Sequence, residues 1–114
     1  MNFAEQYKTE LLQTINSIDM QKVEEAIEWF KDARASNRHV FVCGNGGSAS
    51  TASHFTCDMV KGASLNRDQR FLIMALTDAL PTMTAYSNDV SYDAVFVEQL
   101  KNFAQAGDLV MGIS

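Results

Sequence analysis

A short apolar run that breaks into glycines constrains this chain more than any other feature. His39-Val40-Phe41-Val42-Cys43 reads as a buried strand, and Gly44-Asn45-Gly46-Gly47-Ser48 follows it as a loop. The stretch from Ala49 to about Lys61 then reads as a helix stopped by Gly62. The same alternation continues. Phe71–Leu76 is a second buried strand, and Thr77-Asp78-Ala79-Leu80 is its exit loop. Pro81 suits the first turn of a short helix, and Ser87-Asn88-Asp89 is a loop with turn chemistry. A helix is predicted over 91–105, with Tyr92, Val95, Phe96, Leu100 and Phe103 on one side. Ala106-Gly107-Asp108 closes it, and Leu109–Ile113 is a third buried strand. Apolar strands separated by helices predict an α/β fold, a parallel sheet with helices on both faces and right-handed crossovers. Ligands of such sheets sit at the carboxyl ends of the strands, where 44–48, 77–80 and the segment after Ile113 lie.

Two helices precede the sheet. Residues 3–18 carry Phe3, Tyr7, Leu11, Leu12, Ile15 and Ile18 at helical spacing, and Asn2 with Glu5 resembles a capping box. Asp19 is the expected N-cap of a second helix over 20–36, striped by Met20, Val23, Ala26, Ile27 and Phe30. The pair is a hairpin or packs on a partner chain, and most of the stripe residues are expected to be core. The chain therefore divides into an N-terminal helical pair over 1–37 and a sheet domain over 38–114. The third strand falls at the last residues, so the domain is expected to be the first part of a longer one, or to have its edge covered by another chain.

Composition narrows the class of function. Nine basic residues face 14 acidic ones, the net charge is −5, and the acids are spread along the chain. Neither nucleic acid nor an anionic membrane is an expected partner. No apolar run is long enough to span a bilayer, and the first residues show no secretory pattern, which points to the cytoplasm. Cys43 and Cys57 form no disulfide framework and no zinc-finger pattern with His39 and His54, and they read as small buried hydrophobes.

The glycine loop invites an anion. Glycine permits positive φ and close approach of a ligand to the backbone. The first amides of the following helix, its dipole and the hydroxyl of Ser48 favour a phosphate or an oxygen-rich sugar; Ser48 as a plain N-cap is the equal alternative. The loop lacks the lysine of a P-loop. It matches GxGxxA formally at Gly44, Gly46 and Ala49, but the first acid after the second strand, Asp78, lies too far along for a dinucleotide ribose. No nucleotide cofactor is expected. On the helix after the loop, His54 and Asp58 stand four apart on one face, a spacing that suits metal binding or acid–base work.

Gly44-Asn45-Gly46-Gly47-Ser48-Ala49, followed by Ala52, His54 and Phe55, resembles the phosphosugar-isomerase (SIS) family, most of all its phosphoheptose isomerases. Ala75-Leu76-Thr77-Asp78, Ser87-Asn88-Asp89 with Tyr92, Asp93 and Phe96, and Gly107–Ser114 are similar to further family segments. The resemblance implies a three-layer αβα sandwich of flavodoxin-like type around a five-stranded parallel sheet, preceded by two N-terminal helices. It implies a homotetramer packed through those helices, and isomerisation of sedoheptulose 7-phosphate to D-glycero-D-manno-heptose 7-phosphate. It implies sugar-phosphate binding by Asn45, Gly46, Gly47, Ser48, Asp78, Asn88, Asp89 and Ser114. By the same resemblance His54 and Asp58 are metal ligands, with zinc as the metal, and catalytic residues. Asp58 stands where the family has a glutamate that is also the catalytic base, so its carboxylate is one methylene shorter. The alternative is a noncatalytic phosphosugar-binding or regulatory protein, including relatives that bind a replication initiator.

Overall fold

The computed structural model describes residues 2–114, in the order α1 (Phe3–Asn16), α2 (Met20–Ala35), β1 (His39–Gly44), α3 (Gly47–Cys57), β2 (Leu72–Ala75), α4 (Leu80–Asp89), α5 (Ala94–Phe103) and β3 (Leu109–Ile113). The three strands form one parallel sheet in the order β2-β1-β3. Phe41 pairs with Met74 on one side and Val110 on the other. Because β2 and β3 flank β1 on opposite sides, right-handed crossovers place α3 and the α4–α5 pair on opposite faces.

Side chains alternate across the strands, so β1 serves both faces. Val40 and Val42 are fully buried beneath Ala33 of α2 and Ala52 of α3, with Phe30, Phe55, Ile73, Leu109, Met111 and Ile113 packed around them. Phe30 meets Phe55 and Phe71 edge-on, with centroids 5.7 and 6.4 Å away, a geometry that suits the aromatic quadrupoles. The opposite face is thinner. Phe41 is fully buried, yet Leu72, Met74 and Val110 on the same side remain exposed by a third to a half. The expected buried strands are therefore buried at β1 and only partly buried at β2 and β3.

Local chemistry sets the element ends. Asn2 and Glu5 complete the capping box, with Glu5 N–H donating to Asn2 Oδ1 at 2.9 Å and Asn2 N–H to Glu5 Oε2 at 3.2 Å. Asp19 caps α2 by accepting from Gln21 N–H at 3.0 Å and from Lys22 N–H. At the far end of the sheet, Asp108 accepts from the amides of His39 and Gln105 at 2.9 and 2.7 Å, joining the starts of β1 and β3.

Four expectations need correction. The stripe on α1 is not core, since α1 buries no residue; of the α2 stripe Phe30 packs against the core, while Met20, Val23 and Ile27 remain exposed. α1 packs on no strand or helix of the sheet domain, so its apolar face stays in solvent whatever its pattern. Ser87, Asn88 and Asp89 are the last turn of α4 rather than a loop, because helix hydrogen bonding carries through them to Val90. Tyr92 precedes α5, which begins only at Ala94. Cys57 is exposed, on the solvent side of α3. Cys43 is half-buried, and desolvation raises its thiol pKa.

Candidate functional site

The glycine loop is built by close approach. A side-chain carbon on Gly44 would meet the carbonyl oxygens of Ser48 at 2.7 Å and Ile113 at 2.9 Å, so β1 can turn into α3 only at a glycine. Gly46 adopts φ 54°, a region that side chains disfavour, and forms the N-cap of α3. Ser48 is thus inside the helix and is not its cap. Its amide donates to Asn45 O at 2.9 Å, and those of Ala49 and Ser50 donate to Gly46 O at 3.0 and 3.2 Å. These first helical amides are therefore spent within the turn. Among the described residues the amides of Gly46 and Gly47 have no backbone acceptor, so they are the donors left to the loop.

Further candidate residues lie on the neighbouring strand ends and along α3. β1 and β3 run side by side to Gly44 and Ile113, so Ser114 leaves the sheet beside Asn45. Asp78 closes a short 3-10 turn, Leu76–Asp78, after β2. Ser53 on α3 donates its hydroxyl to Asp78 Oδ1 and lies 3.5 Å from Thr77 Oγ1. His54 follows Ser53, and its Nε2 is 3.5 Å from Asp58 Oδ2. Both side chains of that pair are largely exposed, so their mutual attraction contributes little to stability and both remain accessible to a ligand. The helix widens into a π-helical turn, Asp58–Gly62, that begins at Asp58 itself.

Asn88 and Asp89 stand apart from this group. The Asn88 side-chain amide donates to Asp89 Oδ1 at 3.0 Å, and Asp89 lines a separate groove with Pro81, Thr82, Ala85, Tyr86 and Val90. No bond joins either residue to the loop among the described residues. Sequence reading passed over two groups: Ser53 as the partner of Asp78, and Tyr92 as a partner of the loop. Tyr92 donates its phenol to Asn45 Oδ1. Ser53 sits one residue before a quoted motif position, a weak signal. Tyr92 is 47 residues from Asn45, and no local pattern predicts their contact.

Two donors do not make a metal centre. Zinc takes four ligands, and among the described residues no third His, Cys, Asp or Glu joins His54 and Asp58 in a group that could hold an ion. The donors present are therefore insufficient for a zinc site by themselves.

A glycine loop leading from the first parallel strand into a helix, with polar side chains gathered at the strands' carboxyl ends, defines an α/β ligand-binding domain. Residues 3–114 match the SIS domain, and the chain belongs to that family. Its relatives narrow the comparison. It is 39% identical over 99 residues to the probable phosphoheptose isomerase of Thermoplasma volcanium, covering 86% of this chain and 50% of that one. It is 34% identical over 113 residues to the phosphoheptose isomerase of Alteromonas mediterranea, covering 99% and 56%. Among solved structures, phosphoheptose isomerase GmhA of Neisseria gonorrhoeae superposes with a TM-score of 0.72 at 29% identity, over 99% of this chain and 61% of that one. A phosphoheptose isomerase of Francisella tularensis shares the fold, with a TM-score of 0.82 at 22% identity, over 100% and 62%. The chain thus spans about half the length of the curated relatives it matches.

Proposed function

We propose that this chain binds a sugar phosphate at the glycine loop and takes part in aldose–ketose isomerisation, with sedoheptulose 7-phosphate as the substrate. The observation that carries this reading is the glycine loop at the end of β1, with Ser53 of α3 bonded to Asp78 after β2 and the exposed His54–Asp58 pair farther along the same helix. The loop offers hydrogen-bond donors, which suit phosphate, and Asp78 offers an acceptor, which suits a sugar hydroxyl. The phosphoheptose isomerases among its relatives supply the substrate class. The cytoplasm is the compartment where a phosphorylated sugar would be met; among the described residues no helix is long and apolar enough to cross a membrane.

Isomerisation moves a proton between C1 and C2 through an enediol. It requires a base at carbon and a proton donor at the carbonyl oxygen. Asp58 is the base in this reading, and His54 orients the sugar oxygens beside it. Asn45, Gly46, Gly47, Ser48 and Ser114 hold the phosphate and hydroxyls, since positioning supplies a large part of such a rate. Asn88 and Asp89 enter this scheme only if α4 approaches a bound sugar. Zinc on His54 and Asp58 would need its remaining ligands from elsewhere. A zinc-dependent rate is therefore an assembled property, and no step above depends on it.

The exposed stripe of α1 supports self-association, with the homotetramer as its expected form. Phe3, Tyr7, Leu11, Leu12 and Ile15 are each about half exposed or more on this one helix, and contiguous exposed apolar surface of this kind marks interaction sites. The radius of gyration, 17.1 Å, exceeds the roughly 13 Å expected of a compact chain of this length.

A second reading, a phosphosugar binder without turnover, is favoured by the one-methylene shortening at Asp58. Sedoheptulose 7-phosphate in D₂O, with and without zinc, separates the two by NMR. Deuterium entering next to the carbonyl supports the isomerase, and Asp58→Asn should then abolish exchange. Line broadening without exchange supports the binder. Neither effect would reject the heptose phosphate as ligand.

A further inference from the structure

Asn45 is exposed at the tip of the glycine loop, and neither a helix cap nor a strand bond holds its side chain. A free asparagine side chain can turn either end of its amide toward a ligand, because its last torsion is broad and roughly two-fold. Here the choice is made by another element. The Tyr92 phenol donates to Asn45 Oδ1, which occupies the acceptor end and leaves Nδ2–H₂ as the end available to a ligand. The segment carrying Tyr92 leads into α5, with Val95 N–H donating to Tyr92 O at 3.1 Å. Buried Gln99 on α5 donates to Leu76 O at 3.2 Å and to Val95 O at 3.0 Å, tying that helix to the turn that carries Asp78.

We propose that Tyr92 is a positioning residue for the ligand site, acting through Asn45 to present its amide N–H groups to an oxygen of the sugar phosphate. The inference rests on the sugar-phosphate reading above and adds a residue and a polarity to it. Tyr92 reaches the ligand only through Asn45, so its contribution must vanish when the Asn45 amide is removed.

The test is a double-mutant cycle on the full chain. Sedoheptulose 7-phosphate binding is measured by calorimetry for the unmodified protein, Tyr92→Phe, Asn45→Ala and the double variant. Phenylalanine keeps the ring and removes only the donor. Tyr92→Phe should weaken binding by about tenfold, the scale of one lost hydrogen bond. The same change should have no effect in the Asn45→Ala background. Equal weakening in both backgrounds, or none in either, overturns the proposal. The side-chain ¹H–¹⁵N signals of Asn45 supply a readout that needs no ligand: Tyr92→Phe should shift them, and unmoved signals overturn the proposal. Should the unmodified protein bind no sedoheptulose 7-phosphate, the sugar-phosphate reading fails, and these amide signals alone decide whether Tyr92 sets the orientation of Asn45.

Discussion

The helical pair at the start of the chain and the helix that leaves the glycine loop present opposite cases. α1 and α2 have clear apolar stripes, and together they bury only Ala33. α3 has a weak pattern of small and polar residues, yet Ala52 and Thr56 are buried. An apolar stripe states that a surface favours leaving water, and it says nothing of what covers it. One face of α3 is buried because the chain is forced onto the sheet: Gly44 and Gly46 turn it straight out of β1.

That contrast can be broken most severely at Gly44. Gly44→Val drives side-chain carbons into the Ser48 and Ile113 backbone, which cannot give as a flexible side chain would. A loss of about 3 kcal/mol, the upper end of the cost of overpacking, is expected in urea unfolding. A variant as stable as the parent would show that the turn is not built by close approach. The next largest effect belongs to Asp108, whose carboxylate joins β1 to β3. Desolvation acts to raise its pKa. The amides of Gln105 and His39, with the charges of His39 and Arg38, outweigh it and hold the carboxyl below the usual aspartate value. A depressed folded pKa gives stability that is present above the unfolded value near 4 and is lost as pH falls through the folded one. Asp108→Asn should cost up to about 1 kcal/mol at pH 7, solvent screening limiting the effect, with the gap to the parent narrowing in acid melts. A gap that stays constant with pH would remove the charge from the account.

Smaller effects are expected where the helical pair meets solvent. Leu11→Gln with Ile15→Gln should change the stability of a single chain by no more than about 0.5 kcal/mol per site, because both residues are half exposed. The same double variant should reduce the particle mass in sedimentation, and an unchanged mass would leave the α1 stripe without a partner. Least of all should happen to the fold in Gly47→Ala. An added carbon there meets nothing within 4 Å, so thermal unfolding should be unchanged. Weaker sugar-phosphate binding in that variant would then report a ligand lying directly on the loop, and unchanged binding would place it elsewhere.

Much of this architecture was legible in the residues. Continuous apolar runs bounded by glycine marked the three strands, and their alternation with helices marked a parallel sheet. The loop chemistry at Gly44–Ser48 located the strand end where the site gathers, and the four-residue spacing of His54 and Asp58 put both on one face of the helix. Boundaries were less legible. Ser87-Asn88-Asp89 has turn chemistry, but those residues are also tolerated in a last helical turn, and backbone bonding carried α4 through them.

The sequence by itself determined which segments are strands and helices, where glycine is obligatory, and which face of each helix is apolar, because these follow from spacing and backbone sterics within a few residues. Only the tertiary structure decided that the α1 stripe stands in solvent, that Ser53 holds Asp78, that Asn88 and Asp89 lie apart, and that Tyr92 meets Asn45 across 47 residues. Contacts at that separation depend on how whole elements pack, and a local pattern carries no trace of them.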